Sequence, residues 1–82
     1  MFYKVQEVRP LPGYALFVVF ADGETRRYEV KPLFEKWEPF RALENTKGLF
    51  EQVQVDIGGY GIRWNDEIDL SCNELYEHGV RL

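Results

Sequence analysis

Serine, cysteine and histidine each occur once in this chain, and they fall close together: Ser71, Cys72 and His78. Asp66, Glu67 and Asp69 stand just before them, and Glu74 stands between them. Such residue types could supply a nucleophile and its base, or ligands for a metal ion. Spacing decides against each. On a helix, Cys72 and His78 are six positions apart, about 240° round the axis, so their side chains diverge. Ser71 and His78 share a face but lie about 10 Å apart along it, beyond the ~3 Å of a nucleophile–base hydrogen bond. Glu74 and His78 sit side by side at i and i+4. Zinc, however, asks for three or four His or Cys ligands, and one of each is present. A calcium loop needs a glycine at its sixth position, and the run from Asp66 to Ser71 has none. An acid pair of the glycosidase type has no support beyond the presence of acids. No catalytic, cofactor-binding or metal-ligating residue is expected.

One structural role accounts for most of the cluster. Ser71-Cys72-Asn73-Glu74 matches a capping box, in which a serine oxygen takes the Glu74 amide and Glu74 reaches back. Gly79 is a natural helix stop, and His78 suits a last turn. Asp66, Glu67 and Asp69 precede the helix, where its dipole favours negative charge. Either Asp69 or Ser71 can be the cap.

The preceding elements have to deliver that helix to a core. Residues 1–8 alternate imperfectly, as a first strand with a bulge would, and Leu11-Pro12-Gly13 reads as a turn. Tyr14 to Phe20 is apolar on both parities, with Tyr14, Leu16, Val18 and Phe20 on one face and Phe17 and Val19 on the other. That pattern predicts a central strand covered on both sides. Asp22-Gly23 marks a tight hairpin, and Thr25 to Val30 returns with Arg26, Tyr28 and Val30 on one side. Pro32 opens a short helix to about Trp37, Pro39 breaks it, and a second turn runs from Phe40 to Leu43. Phe34, Trp37, Phe40 and Leu43 should form one apolar ridge against the sheet. Leu49 to Asp56 resumes strand character, with Val53, Val55 and Ile57 inward. Gly58-Gly59 closes a second hairpin. Tyr60, Ile62 and Trp64 line one face of the last strand, with Gly61 and Arg63 on the other. Gly58-Gly59-Tyr60-Gly61 opens onto a strand instead of a helix, so it is no phosphate loop. The fold class expected is α+β: a small antiparallel sheet of about five strands and two hairpins, with a broken helix after the third strand and a C-terminal helix packed on it.

Eighty-two residues make a single domain, 1–82, whose few large side chains carry its stability. Six Phe, five Tyr and two Trp supply them. One cysteine forms no internal disulfide, which fits a reducing compartment. No signal-peptide pattern opens the chain, and the apolar run from Tyr14 to Ala21 is far shorter than the roughly 20 residues of a membrane span. A cytoplasmic location without membrane contact is expected. The net charge of −4 argues against direct nucleic-acid binding, which is built on Lys and Arg facing phosphates. Arg26-Arg27 is the sole adjacent basic pair, and on a strand those two point to opposite faces.

The order of features resembles a bacterial family, domain of unknown function 2442. The resemblance rests on Leu16-Phe17-Val18-Val19-Phe20-Ala21-Asp22-Gly23, then Arg27-Tyr28-Glu29-Val30 and Pro32-Leu33. Phe40 with Leu43, Leu49-Phe50 with Val53, Ile62-Arg63-Trp64, Ile68-Asp69-Leu70 and Glu74-Leu75-Tyr76 continue it over nearly the whole chain. It implies a small α+β domain with no established catalytic residues. Some relatives carry a fused helix-turn-helix DNA-binding domain. Stand-alone members often have a small toxin-like gene next door, which prompts an antitoxin reading. The chain as given ends at Leu82, without the DNA-reading appendage, so a regulatory role would work through a protein partner.

Two functions are therefore expected to compete. One is a non-enzymatic protein-interaction or regulatory module, antitoxin-like, with a protein partner or a homodimer. Its candidate surface is Phe17, Val19, Arg27 and Arg63, because an apolar sheet face left uncovered is a contact patch. The other is a small-molecule sensor with a pocket near Trp37, Tyr60 and Trp64, where Arg63 or Asp66 supplies a polar group.

Overall fold

The computed structural model describes residues 3–82, and the expected start of the first strand at Met1 and Phe2 lies outside them. Strand β1 (Val5–Leu11) pairs antiparallel with β2 (Ala15–Phe20), which pairs antiparallel with β3 (Thr25–Glu29). The expected bulge is present: register shifts between Val5 and Glu7, so that Val5 still turns inward opposite Phe20. The first turn is displaced by one residue from the sequence expectation. β1 runs on to Leu11, and Tyr14 belongs to the turn, with a φ of 61°. A tyrosine seldom accepts that left-handed backbone. Here its ring is held edge-on by Phe34 and Phe50, each 5.2 Å away, while its carbonyl accepts the Val30 N–H.

Helix α1 (Leu33–Lys36) ends at Trp37, whose backbone is extended. A 3-10 turn over Glu38–Arg41 then leads into α2 (Ala42–Asn45). The apolar ridge is realised by Phe34, Phe40 and Leu43. Trp37 departs from it: the extended break rotates the indole outward, and 46% of the residue is exposed.

The region after residue 48 differs most from expectation. In place of a strand from Leu49, a 3-10 turn (Phe50–Gln52) drops Phe50 into the core, and β4 is reduced to Gln54–Val55. Ile57 is 90% exposed instead of inward. It begins a further 3-10 turn, Ile57–Gly59; its N–H is taken by the Asp56 side chain, and the chain turns before another inward position is reached. Gly59 closes that turn with a φ of 76°, and a Cβ there would stand 2.7 Å from the Val5 carbonyl oxygen. The predicted hairpin forms, β4 pairing with β5 (Gly61–Arg63). Tyr60 precedes β5 and is largely exposed, so only Ile62 and Trp64 of the expected face are buried.

A further strand, β6 (Asp69–Ser71), lies against β5 and leads directly into α3 (Cys72–His78). The last strand, β7 (Val80–Arg81), adds to the free side of β3. The architecture is thus two antiparallel sheets, ordered β1-β2-β3-β7 and β4-β5-β6, with short helices. The α+β class and the C-terminal helix are as expected, but among the described residues seven strands in two sheets replace about five in one. One apolar cluster joins both sheets, running from Leu16, Val18 and Phe20 through Ile62 and Trp64 to Leu75. Among the described residues, no helix is long and apolar enough to cross a membrane.

Candidate functional site

The segment that looked most reactive is occupied by structural work. Asn65 Oδ1 accepts the N–H groups of Glu67 and Ile68, and Trp64 N–H reaches the Ile68 carbonyl. Asp66 and Glu67 therefore sit in a hairpin loop, set back from the helix start by β6, and Asp69 opens β6 itself. Ser71 is the cap. Its Oγ accepts the Glu74 N–H at 3.1 Å. Glu74 does not complete a reciprocal box. Its carboxylate accepts the Tyr28 O–H at 2.8 Å and lies 3.3 Å from His78 Nδ1. Burial and this carboxylate hold the Tyr28 hydroxyl well above the usual tyrosine range. Cys72 is buried, its Sγ 3.8 Å from Asn73 Oδ1. Among the described residues, no three His, Cys, Asp or Glu side chains gather closely enough to hold a metal ion.

The three aromatic residues of the second reading take different positions. Trp64 is buried, donating its Nε1–H to the Phe50 carbonyl at 2.9 Å. Tyr60 stands apart under the Lys4 ammonium, 5.8 Å from the ring centre. Trp37 alone of the three borders a groove of about 330 Å³, completed by Pro39, Phe40, Glu67 and Asp69. Arg63 is held instead by Asp56 at 3.7 Å and Asp66 at 3.2 Å. A wider trough of about 600 Å³ runs past Lys31, Phe34, Glu35 and Arg41, with charges of both signs along it.

Three of the four expected surface residues meet on one face. Strand alternation sends Leu16, Val18 and Phe20 into the core and leaves Phe17 and Val19 on the opposite side of the four-stranded sheet. Neither belongs to the buried cluster or packs against it. β2 is thus central, as expected, yet its outer face is only partly covered: Ala15 is buried there, while Phe17 and Val19 are half-buried. Phe17 lies directly between Arg9 of β1 and Arg27 of β3, and Val80 of β7 continues the row. The next row is Glu7, Val19 and Thr25, with Leu82 bonded to the Thr25 carbonyl. Arg9 pairs with Glu7, and Arg27 pairs with Glu29 at 2.7 Å. Arg63 belongs to the other sheet and is not part of this face.

The model of one family, described as a protein of unknown function (DUF2442), matches residues 5–81. This chain belongs to the DUF2442 family. No curated protein and no solved structure matches it. The DUF2442 match spans every strand and helix described above, including β7, the two-residue strand that brings Val80 to the open face. Sequence reasoning missed Val80, Arg9 and Glu7. The alternation of residues 5–11 carried a signal for the last two, whereas β7 is too short to show any period.

Proposed function

We propose that this DUF2442 chain is a non-enzymatic protein-interaction module acting through the outer face of its four-stranded sheet. The observation that carries the reading is the outer face of the central strand, where Phe17 and Val19, half-buried and outside the core cluster, lie between paired arginines and glutamates. An apolar centre with a polar, charged rim is the usual composition of a protein contact. The gene context implied by the family resemblance favours regulation of a small toxin-like neighbour in the cytoplasm, without direct nucleic-acid contact. The test is co-expression with the product of the adjacent gene, using wild type and the double variant Phe17→Asp, Val19→Asp. Both side chains lie outside the core, so the fold should persist while capture falls at least about tenfold, the loss that charging an apolar contact centre entails. Equal capture by wild type and variant would remove the face from the reading.

The groove at Trp37 supports a second reading as a small-molecule site, since an exposed indole beside Glu67 and Asp69 suits an organic cation. A thermal-shift screen of organic cations showing no response in wild type would remove it.

A further inference from the structure

We infer that the occupant of this face is a second copy of the same chain, docked sheet on sheet about a two-fold axis. The inference rests on the reading of the face as a protein contact and names its partner. The register makes the face self-complementary. One row across the strands is Glu7, Val19, Thr25 and Leu82; the adjacent row is Arg9, Phe17, Arg27 and Val80. A two-fold axis lying in the plane between the sheets, across the strands and between these rows, exchanges one row for the other. Glu7 then meets Arg9 of the second copy, Val19 meets Phe17, Thr25 meets Arg27 and Leu82 meets Val80. Glu7, the one acid on these two rows, faces Arg9, each large apolar side chain faces another, and Arg27 keeps Glu29 of its own strand.

Other placements lose this match. An axis along the strands sets Arg9 against Arg27 when it lies over β2, or Phe17 against Arg27 when it lies between β2 and β3, and an axis passing through the Phe17 row sets each arginine against itself. An axis one row further on uses Arg27 with Glu29, but it places Arg9 on Leu11 and Phe17 on the fully buried Ala15. The favoured axis keeps the strands of the two sheets aligned, as in sandwich packing. It also yields an isologous, closed pair, the commonest form of oligomer. The pairing charges are available for it: Arg9 and Glu7 side chains are 67% and 43% exposed, bonded on β1 only to each other. Four strands about 4.8 Å apart make a face only some 20 Å wide, smaller than a standard interface, so the dimer is weak and concentration-dependent.

Sedimentation over a range of roughly 10 μM to 1 mM, the range suited to a weak contact, should carry the mean mass from 9.7 kDa toward twice that value. Glu7→Arg and Arg9→Glu, each alone, place like charges across the axis and should weaken association at least about tenfold. Their equimolar mixture should restore it, because the paired arginines of the first variant then face the paired glutamates of the second. Glu29→Arg lies outside the two rows and should leave association intact. Unchanged thermal unfolding of the variants shows that the fold is preserved. A wild type monomeric throughout overturns the inference, as does association that survives both single reversals, fails to return in the mixture, or is lost in Glu29→Arg. Should wild type stay monomeric while capture of the neighbouring gene product still depends on Phe17 and Val19, the second copy falls and the face remains a contact. If neither self-association nor capture responds at these positions, both readings fall.

Discussion

At the scale of single residues, the side chains with the most chemical potential are those most fully engaged in holding the fold. Tyr28 shows what such engagement does. It is a core residue of β3 whose hydroxyl crosses to Glu74 on α3, so it ties the four-stranded sheet to the helix. Its folded-state proton is held more tightly than the unfolded one, whose ordinary value is 10.0. Above that pH the unfolded chain binds fewer protons than the folded chain, and stability falls as pH rises. The contribution is therefore complete below pH 10 and is lost as pH climbs through the raised folded value. Tyr28→Phe should cost about 1–2 kcal/mol near neutrality, the worth of a charge-assisted hydrogen bond partly open to water. It should also flatten the alkaline limb of stability between pH 9.5 and 11, a window of roughly one unit about the ordinary tyrosine value. Urea unfolding across that range measures both effects, and parallel limbs in the two proteins would dissociate Tyr28 from the titration.

At the scale of elements, legibility followed length. β2 was readable as a short, β-branched and aromatic apolar run, β3 as a five-residue return strand, and Asp22-Gly23 marks their turn. β4, β6 and β7 span two or three residues and are set by pairing, which no local pattern announces. The break at Trp37 was visible through Pro39, but the direction in which the indole would swing was not. The candidate face was half legible. Phe17 and Val19 stood out by parity, whereas Arg63 was misplaced because its sheet is separate. Gly79 illustrates the limit: it ends α3 as expected, but with a φ of −75° instead of a left-handed turn. Its need is space, since a Cβ would stand 2.5 Å from the Leu75 carbonyl oxygen and 3.1 Å from Arg26 Cβ. That close approach lets Arg26 lie over the Tyr76 ring at 4.1 Å and reach the Gly79 carbonyl at 3.3 Å. Gly79→Ala should therefore push β7 off β3 at a cost of about 1–3 kcal/mol, as overpacking commonly does. Faster amide exchange at Leu82, whose N–H is bonded to Thr25, is the local readout. Unchanged exchange there would mean that the helix end yields instead.

At the scale of the molecule, a contact face is useful only if what lies behind it is rigid. The inward residues of β2 that back Phe17 and Val19 are Leu16, Val18 and Phe20, and the same cluster continues into Ile62 and Leu70 of the second sheet. Short strands in that sheet have little pairing of their own and depend on this shared core. Unfolding should accordingly be one cooperative step, with Trp64 fluorescence, sheet circular dichroism and Cys72 thiol labelling reporting a single midpoint. Domains of this size are stable by about 4–12 kcal/mol in total. Leu16→Ala and Ile62→Ala each remove a fully buried side chain and should each cost about 2–5 kcal/mol. Cooperativity makes the two losses appear in all three probes alike, although the residues belong to different sheets. Were Ile62→Ala to release Trp64 and Cys72 while the β1-β2-β3 signal stayed at its original midpoint, the sheets would be separate folding units. The outer face would then be supported by its own sheet alone.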